Sequence, residues 1–448
     1  MDALAWHRFQ FAFTITYHYL FPQLTIGLAL LIVVYKLLAI RMDSDIYRDL
    51  ARFWGHIFAI NFAVGVATGI PLEFEFGTNW ARFSDYAGAV IGTPLAMEGM
   101  FAFFAESTFL GLFLFGEERL GENWHFVTTL MLFLGSWLSG YFIIVTNAFM
   151  QHPTGYQLAT NGKLQLVSLQ AFMFNPWAIW EYLHNMSAAM TTGGFVVTAV
   201  AAYWLLMGVN NQHAMKSLKV SVTLSFVACC LQFATADGQG KLVAQFQRPT
   251  LAAMEGKFES SSHAELAIIG QPNLEEKKLE NPIIVPAILS YLAYGSFGST
   301  VYGINDFEKA ELPDNIELLY YTYHIMVGLG TAMFALTGLA VSLLLTNKLF
   351  NNRPVLWLLM LAFPFPYIAT TAGWMVAELG RQPWLIYGLQ RTIHGSSPLV
   401  HGGNVAFSAL GFMGLYIVVG VLFLYLIFKE VNRGPAHLSS HGHSSAAT

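Results

Sequence analysis

The chain has 448 residues, of which 55% are hydrophobic and only 11% are charged, whereas soluble domains carry about 25% charged residues. This composition excludes an ordinary soluble protein and predicts an all-α, polytopic membrane protein. The weak formal net charge of -5 gives no indication of nucleic-acid binding, and no nucleic-acid partner is expected. The two cysteines, Cys229 and Cys230, are adjacent, and this spacing predicts neither a disulfide framework nor a metal site.

Nine apolar segments are long enough to cross a membrane, since a bilayer core requires about 20 helical residues. Only helices are expected, because the alternating segments of about ten residues that build membrane barrels do not occur in the sequence. The predicted spans are residues 11–40, 53–73, 92–116, 124–148, 178–207, 217–236, 318–346, 355–378 and 403–429. The first span is too long for the apolar part of a signal peptide, so no cleavable signal is expected.

The distribution of lysine and arginine predicts the orientation of these helices. One set of connections and flanks contains Lys36, Arg41, Arg48, Arg52, Arg119, Lys216, Lys219, Lys348, Arg353, Lys429 and Arg433. The opposite short connections contain only Arg8, Arg82, Lys163, Arg381 and Arg391. Because short loops rich in lysine and arginine stay in the cytoplasm, the N-terminus is expected outside and the C-terminus inside.

One long polar segment, residues 237–317, separates the sixth span from the seventh. It is expected outside, and connections of this length are usually functional or disordered. The predicted organisation is six spans in residues 1–236, the outer segment 237–317, three spans in residues 318–430 and a flexible cytoplasmic tail in residues 431–448. The three histidines of the tail are expected to be incidental rather than a metal site, and they are His437, His441 and His443.

Several predicted spans contain side chains that hydrocarbon disfavours, namely His18, Glu98, Glu106, His184, His324 and Glu378. Ionisable groups at membrane depth are costly, so they indicate a functional site. Simpler explanations stand beside this one. A single histidine can be hydrogen-bonded to a neighbouring helix, and a methionine such as Met326 can pack in the core. Glu378 and Arg381 can meet the lipid headgroups at a helix end.

The position of each group along its span predicts how deep in the membrane its side chain lies. Four of them lie within roughly the first dozen residues of spans that run inwards, and they are His18, Glu98, His184 and Met326. Glu378 ends a span that runs outwards, so five potential axial ligands are expected at one depth. Glu106 lies about 12 Å deeper than Glu98. Histidine and methionine form an axial pair for electron-transfer haem, whereas Glu98, Glu106 and Glu378 would also suit a proton-coupled transporter.

The histidine pattern differs from two other kinds of membrane haem protein. The cytochrome b of quinol–cytochrome c reductases needs paired histidines on two helices, and haem–copper oxidases need about six intramembrane histidines. The spans of this chain and their edges contain five histidines without such pairing, and they are His18, His56, His125, His184 and His324. No C-x-x-C-H motif occurs, so any haem is not attached through thioethers.

Four motifs resemble subunit I of the cytochrome bd quinol oxidase family, and the resemblance extends from about residue 6 to 430. The motifs are TYHYLFPQLTIG at 16–27, FAINFAVGVATGIPLEFEFGTNW at 58–80, AMEGMFAFFAEST at 96–108 and GWMVAELGRQPW at 373–384. The resemblance implies nine helices with the N-terminus outside. It implies the catalytic subunit of a terminal respiratory oxidase, which oxidises quinol at the outer face and reduces O2 to water, generating proton motive force without pumping.

The resemblance also implies the surroundings of the chain. The family lies in the bacterial inner cell membrane, where subunit II is an obligate partner and a small single-helix subunit can accompany the pair. Two alternatives are kept open. One is a proton-coupled transporter using Glu98, Glu106 and Glu378, which would be colourless. The other is a haem-binding membrane anchor, which quinol would reduce but which would consume no oxygen.

The haem ligands follow from matching positions in the family. His184 and Met326 match the axial pair of a low-spin haem b. The ligands of the two high-spin haems, normally a haem b and a haem d, match His18, Glu98 and Glu378. A further haem b can replace haem d, and the resemblance does not assign each ligand to one haem.

Other matching positions surround the haems. Trp374 matches an aromatic residue between haems, and Arg381 would neutralise a haem propionate or a buried carboxylate. Glu106, together with Ser139 and Asn147, matches a proton route from the inside. These roles are implied by the resemblance alone.

The outer segment 237–317 matches the quinol-binding loop of the family. Glu255 falls on the family's acidic quinol residue and would accept a proton from quinol. A lysine usually precedes the Leu-Ala-Ala triplet, but here Thr250 stands there, so Arg248 or Lys241 could supply the charge. The segment is short, as in the cyanide-insensitive branch of the family. Ubiquinol and menaquinol both remain open as substrates.

Overall fold

The structure of the protein, a computed structural model, describes residues 2–438. It is an all-α membrane bundle, as the apolar segments predict. Over the described residues the α-helices are α1 (Ala3–Met42), α2 (Asp45–Thr78), α3 (Ala81–Met97), α4 (Phe104–Phe115), α5 (Glu117–Gln151), α6 (Leu169–Met173), α7 (Pro176–Met207), α8 (Asn211–Phe246), α9 (Arg248–Met254), α10 (Ile288–Tyr294), α11 (Ile316–Leu345), α12 (Arg353–Leu361), α13 (Phe365–Arg381) and α14 (Gly402–Arg433).

Nine helical segments between residues 2 and 438 are long and apolar enough to cross a membrane, which confirms the predicted number. Six are the single helices α1, α2, α5, α8, α11 and α14. The other three join α3 to α4, α6 to α7 and α12 to α13. Most of the predicted tail, residues 439–448 with His441 and His443, lies outside the described residues, and so does the side chain of His437.

Most spans extend beyond the apolar residues that predicted them, and two extend by ten residues or more at one end. The third begins at Ala81 rather than at residue 92, and α8 continues to Phe246 rather than ending at residue 236. Both extensions are polar, so hydropathy alone missed them. In α8 the ion pair between Lys241 Nζ and Asp237 Oδ2, 2.6 Å long, joins residues four apart and supports the added turns.

One end of the bundle gathers the basic residues that predicted the inner face. Lys36 at the end of α1 and Arg52 in α2 both contact Glu117 at the start of α5, at 2.5 and 2.8 Å. His213 at the start of α8 lies 3.2 Å from Asp49 of α2. These contacts hold four helix ends together at one face. The direction in which the bundle crosses the membrane stays a prediction.

The first and fifth spans are packed unusually closely. A Cβ atom at Gly27 of α1 would lie 2.1 Å from the carbonyl oxygen of Ala189 of α7. At Gly193, the next small residue along α7, a Cβ atom would lie 2.7 Å from the backbone of Gly27. Small residues let membrane helices approach in this way. The contact fixes α7, which carries His184, against α1, which carries His18.

The predicted loops at the opposite end are folded. Within the described residues, the strands are β1 (Tyr156–Leu158), β2 (Leu164–Leu166), β3 (Ser261–Ser262), β4 (Leu266–Asn273), β5 (Lys278–Val285), β6 (Thr300–Val301), β7 (Trp384–Ile386) and β8 (Gln390–Arg391). They form four antiparallel pairs, β1–β2, β3–β6, β4–β5 and β7–β8. The segment 237–317 therefore contains two short helices and two strand pairs rather than an extended loop.

Candidate functional site

The helix geometry changes at Glu98. Residues Glu98–Phe103 form a π-helical turn between α3 and α4, four residues after Pro94. Proline removes a backbone donor and crowds the turn before it, so Pro94 disturbs the hydrogen bonds of residues 90–94 and not those of the π-helical turn that follows. Single π-helical turns inside α-helices occur often at functional sites. The carboxylate of Glu98 therefore begins a segment whose backbone departs from the ordinary helix.

Three carboxylates contact polar side chains of α5. Ser136 donates a short hydrogen bond to Glu106 Oε1, and Ser139 donates to Glu98 Oε1 at 2.7 Å. Asn147 Nδ2 donates to Glu378 Oε1 at 2.8 Å. Residues 136, 139 and 147 share one face of α5 and span about 16 Å along its axis. We call these three pairs the α5 ladder.

The α5 ladder gives the three residues of the expected proton route different partners. The resemblance places Glu106, Ser139 and Asn147 in one proton route. In the structure the Ser139 hydroxyl and the Asn147 amide each contact a carboxylate other than Glu106. Ser136 is the residue that holds Glu106, while Ser139 belongs to Glu98 and Asn147 to Glu378. Ser136, Ser139 and Asn147 all lie on one face of α5. A proton route along this face stays a prediction.

Glu378 and Arg381 form a forked ion pair at the end of α13. The guanidinium Nη1 lies 3.1 Å from Glu378 Oε1, and Nη2 contacts Oε2. Arg381 is only 2% exposed, so it does not reach the lipid headgroups. Buried arginine is usually held by such a bidentate carboxylate. Trp374, one turn earlier on α13, is half-buried.

The imidazole of His184 is held by α8. Its Nδ1 lies 3.2 Å from Thr235 Oγ1, and its Nε2 lies 2.9 Å from Gln232 Nε2. A ligating histidine is usually oriented by an acceptor on its other ring nitrogen, and the Thr235 hydroxyl oxygen can accept from Nδ1 here. Gln232 occupies the other nitrogen, so ligation through Nε2 requires this amide to turn away.

His18 and Met326 each lie against a glycine of a neighbouring helix. His18 Nδ1 lies 3.2 Å from Thr68 Oγ1, and a Cβ atom at Gly69 would lie 2.9 Å from the ring. A Cβ atom at Gly373 would lie 2.9 Å from Met326 Sδ. Glycine at both places gives the two donor side chains room against the neighbouring helix.

The donor set suits haem better than a bare metal ion. Within residues 2–438 no three histidine, cysteine, aspartate or glutamate side chains are grouped as a metal site. Haem iron needs only one or two axial ligands from the protein. The five predicted ligands, His18, Glu98, His184, Met326 and Glu378, are all partly accessible rather than fully packed. Their side chains therefore retain space beside them, and the residues fit the expected group.

Glu255 follows α9 in the outer segment and is almost fully buried. Burial raises the pKa of Glu255 to about 7, and a hydrogen bond from the Tyr323 hydroxyl partly offsets this rise. A carboxyl group with a pKa near neutrality can exchange a proton at physiological pH. The position is thus chemically suited to accept a proton from a bound hydroxyl group.

Thr250 fills the position where the family usually has lysine. Its hydroxyl donates to the Gly380 carbonyl at 2.7 Å, and a Cβ atom at Gly380 would lie 2.5 Å from its methyl group. The threonine thus joins α9 directly to the end of α13. Of the two proposed substitutes, Arg248 stacks over the Tyr302 ring at 5.0 Å, and Lys241 is paired with Asp237.

Sequence reasoning missed several residues beside the predicted site, including the two threonines at the imidazoles, Thr68 and Thr235. Gln232 and Ser136 escaped because uncharged polar residues are common in membrane helices. Tyr323 precedes His324, and the sequence did not distinguish it from the tyrosines and tryptophans that commonly lie at the membrane–water interface. Glu181 gave a clearer signal, since it is a carboxylate three residues before His184. It is buried within electrostatic reach of Glu378 and Arg381.

The chain is similar to known proteins over nearly its whole length. Residues 6–435 match the family model described as cytochrome bd terminal oxidase subunit I. Cytochrome bd ubiquinol oxidase subunit 1 of Bacillus subtilis (strain 168) is 34% identical, over 98% of this chain and 96% of that protein. Cytochrome bd-II ubiquinol oxidase subunit 1 of Escherichia coli (strain K12) is 31% identical, over 98% of each.

A solved structure is similar as well. The bd oxidase from Geobacillus thermodenitrificans has a chain that superposes with a TM-score of 0.91 at 31% sequence identity. The match covers 96% of this chain and 99% of that chain. The similarity therefore includes the spans, the outer segment and the connections between them.

Proposed function

Because the chain belongs to the family of cytochrome bd terminal oxidase subunit I, we propose that its α5 ladder and outer segment carry the proton and quinol chemistry of a quinol:oxygen oxidoreductase. The chain is the catalytic subunit of a terminal quinol oxidase and a multi-pass protein of the bacterial cytoplasmic membrane. Family membership does not favour the transporter alternative. The single observation that supports the proposed chemistry best is the α5 ladder, in which three carboxylates from other helical segments each contact a polar side chain on one face of α5.

The family implies haem cofactors, and their assignment to residues is part of the proposal. His184 and Met326 would hold a low-spin haem b, while His18, Glu98 and Glu378 would hold a high-spin haem b and a haem d or further haem b. When bound, these groups supply electron transfer and the reduction of oxygen. Thr68 and Thr235 orient the two imidazoles, because each hydroxyl lies 3.2 Å from an Nδ1 atom.

Quinol is proposed to bind beside Glu255. A buried carboxylate with its pKa near 7 can take the proton of a quinol hydroxyl as that hydroxyl is oxidised. Tyr323 positions the carboxylate through its hydrogen bond. Because Thr250 replaces the usual lysine, Arg248, two residues before it, is proposed to supply positive charge at the start of α9, whereas Lys257 is paired with Glu265.

The α5 ladder is proposed to hold the protons consumed in oxygen reduction. Glu106 is buried and receives a hydrogen bond from Ser136, and Glu98 lies about two turns nearer the outer end. Arg381 keeps Glu378 in place at the outer end of the ladder. If the basic end of the bundle faces the cytoplasm, protons enter from inside while quinol protons leave outside. Proton motive force then arises without a pump.

A second subunit belongs to this oxidase, since the similar proteins are subunit 1 of their complexes. A small accessory helix is a further proposal. The chain has apolar surface for such contacts, because α14 exposes large side chains along most of its length. These include Phe407, Leu410, Val418, Leu422 and Phe428.

Quinol-dependent oxygen uptake by the purified complex tests the proposed function. The complex should consume oxygen with quinol, and His184→Ala should abolish this uptake while the complex still assembles. His401→Ala serves as the control, because this exposed residue precedes α14 and lies outside the site. An assembled complex that quinol reduces but that consumes no oxygen would support the haem-anchor alternative instead.

A further inference from the structure

The β4–β5 hairpin has two unlike halves. Near its base Ala267 pairs with Ile284 and Ile269 pairs with Ile283, whereas towards its turn Gln271 pairs with Glu280 and Asn273 pairs with Lys278. The base exposes four isoleucines, each 50–60% accessible, and they are Ile268, Ile269, Ile283 and Ile284. The turn carries Glu275, Glu276 and Lys277. We call these halves the isoleucine base and the charged tip.

The hairpin lies along the first turns of α11 in a fixed direction. Leu279, near the charged tip, packs against Gly256 beside the Tyr320 ring. At the isoleucine base, the carbonyl oxygen of Ala267 lies 3.1 Å from His324 Nε2. His324 is one turn further along α11 than Tyr320, about 6 Å deeper into the span. The isoleucine base is therefore the deeper half.

The length of α11 places this base near the edge of the hydrocarbon. The helix has 30 residues and is about 45 Å long, whereas the hydrocarbon core is about 30 Å thick. Measured back from Leu345, where α11 ends, the core reaches to about residue 326. His324 thus lies at the boundary between headgroups and acyl chains. The helix surface here is already apolar and exposed at Tyr321 and Ile325.

We propose that the isoleucine base of the β4–β5 hairpin is immersed in the leaflet where α11 begins, in contact with lipid acyl chains. An exposed apolar cluster of this kind is unusual on a water-facing hairpin. Here it continues the lipid-facing surface of α11, while the charged tip stays at headgroup level or above. Because Leu279, near the charged tip, packs against Gly256, the part of the hairpin above the immersed base borders the segment that carries Glu255.

Spin labels can test this immersion in the complete complex embedded in lipid nanodiscs. Cys229 and Cys230 are first replaced by serine, and single cysteines are introduced as Ile269→Cys, Ile284→Cys and Lys277→Cys. Collision of each label with O2, which concentrates in lipid, is compared with collision with a water-soluble nickel chelate. Leu339→Cys, on the exposed mid-span surface of α11, is the lipid reference.

Labels at 269 and 284 should resemble the label at 339, with O2 collisions exceeding nickel collisions, while the label at 277 should show the reverse. Two results would overturn the proposal. Labels at 269 and 284 that resemble 277 would place the base in water. Labels that neither probe reaches would show that protein covers it. An unchanged absorption spectrum verifies that each labelled complex is assembled. The collision measurement does not depend on quinol oxidation, so failure of the immersion proposal can be distinguished from failure of the proposed function.

Discussion

Ser139 of α5 donates a hydrogen bond of 2.7 Å to Glu98, the first residue of the π-helical turn. The contact joins two spans at a position where one of them departs from regular helix. It fixes the Oε1 atom of the Glu98 carboxylate. If Glu98 holds haem iron, Ser139 orients that ligand from the neighbouring helix.

Replacing Ser139 by alanine should therefore alter the site without destroying it. A hydrogen bond to a charged group is worth about 1.5–3 kcal/mol, so oxygen turnover is expected to fall by about 10- to 100-fold. The absorption of the high-spin haems should shift, because the Glu98 carboxylate is no longer oriented. The matched control is Ser342→Ala, whose hydroxyl bonds only its own helix backbone at Gly338. Identical spectra and turnover in the two variants would contradict the positioning role.

Glu106 is expected to carry protons rather than to hold iron. Glu106→Gln keeps the shape and the contact with Ser136 but cannot release a proton. Oxygen uptake should fall by about 100-fold or more, the usual cost of losing a positioned acid or base. The reduced spectrum should remain normal, because no predicted ligand is changed. Glu276→Gln on the charged tip is the control, because it also removes one carboxylate. Unchanged turnover in Glu106→Gln would show that Glu106 is not part of the proton route.

The pH dependence of quinol oxidation should report Glu255. Burial raises its pKa to about 7, and only the ionised carboxylate accepts a proton. The rate at low quinol concentration should therefore fall as pH decreases below about 7 and level off above it. Glu255→Gln should be slow and should lack this transition.

Glu265 provides the matched control for this profile. Burial raises its pKa, but the hydrogen bond and charge of Lys257 outweigh burial and hold the pKa below its usual value. Glu265 is therefore ionised throughout the tested range, and Glu265→Gln should leave the pH profile unchanged. A transition near pH 7 that persists in Glu255→Gln would assign the titrating group elsewhere.

Arg381 should be required for the stability of the complex. Removing one partner of a fully buried ion pair costs about 3–5 kcal/mol, and the cost here is smaller because the Glu378 side chain left without its partner is 39% exposed. Arg381→Met should therefore lower the unfolding temperature and the haem content. Arg381→Lys should recover only part of both, since lysine lacks the forked geometry that reaches both oxygens of Glu378. Arg82→Met, at an exposed position, should change neither, and equal stability of all three variants would argue against this role.

The sequence predicted the spans well because hydropathy and helix length are strong constraints in a bilayer. It failed where a helix leaves the hydrocarbon, as in α8, which stays helical through the polar residues up to Phe246. Helix propensity and the Asp237–Lys241 pair continue the helix there, and hydropathy measures neither. The folded outer segment was also beyond prediction, since β3 and β6 have two residues each and the register of the β4–β5 pair is irregular.

Candidate site residues were predictable where a charge stands in an apolar run, as for Glu98 and Glu378. Their partners were not. Ser136, Ser139 and Asn147 lie on one face of α5, but the sequence does not tell which carboxylate each one meets. The pairing depends on how α5 is placed against α4 and α13, which only the tertiary structure reveals. Gln232 was missed for the same reason, because α8 meets His184 across the bundle.

The most direct test of the site is a dithionite-reduced minus air-oxidised visible spectrum of the purified complex, recorded with and without His184→Ala. We predict haem b bands in the unsubstituted complex, with a further far-red band if haem d is present. The low-spin component should be lost in His184→Ala while the high-spin signal remains. An assembled complex without haem absorbance, or a low-spin signal that survives His184→Ala, would contradict the proposed ligands.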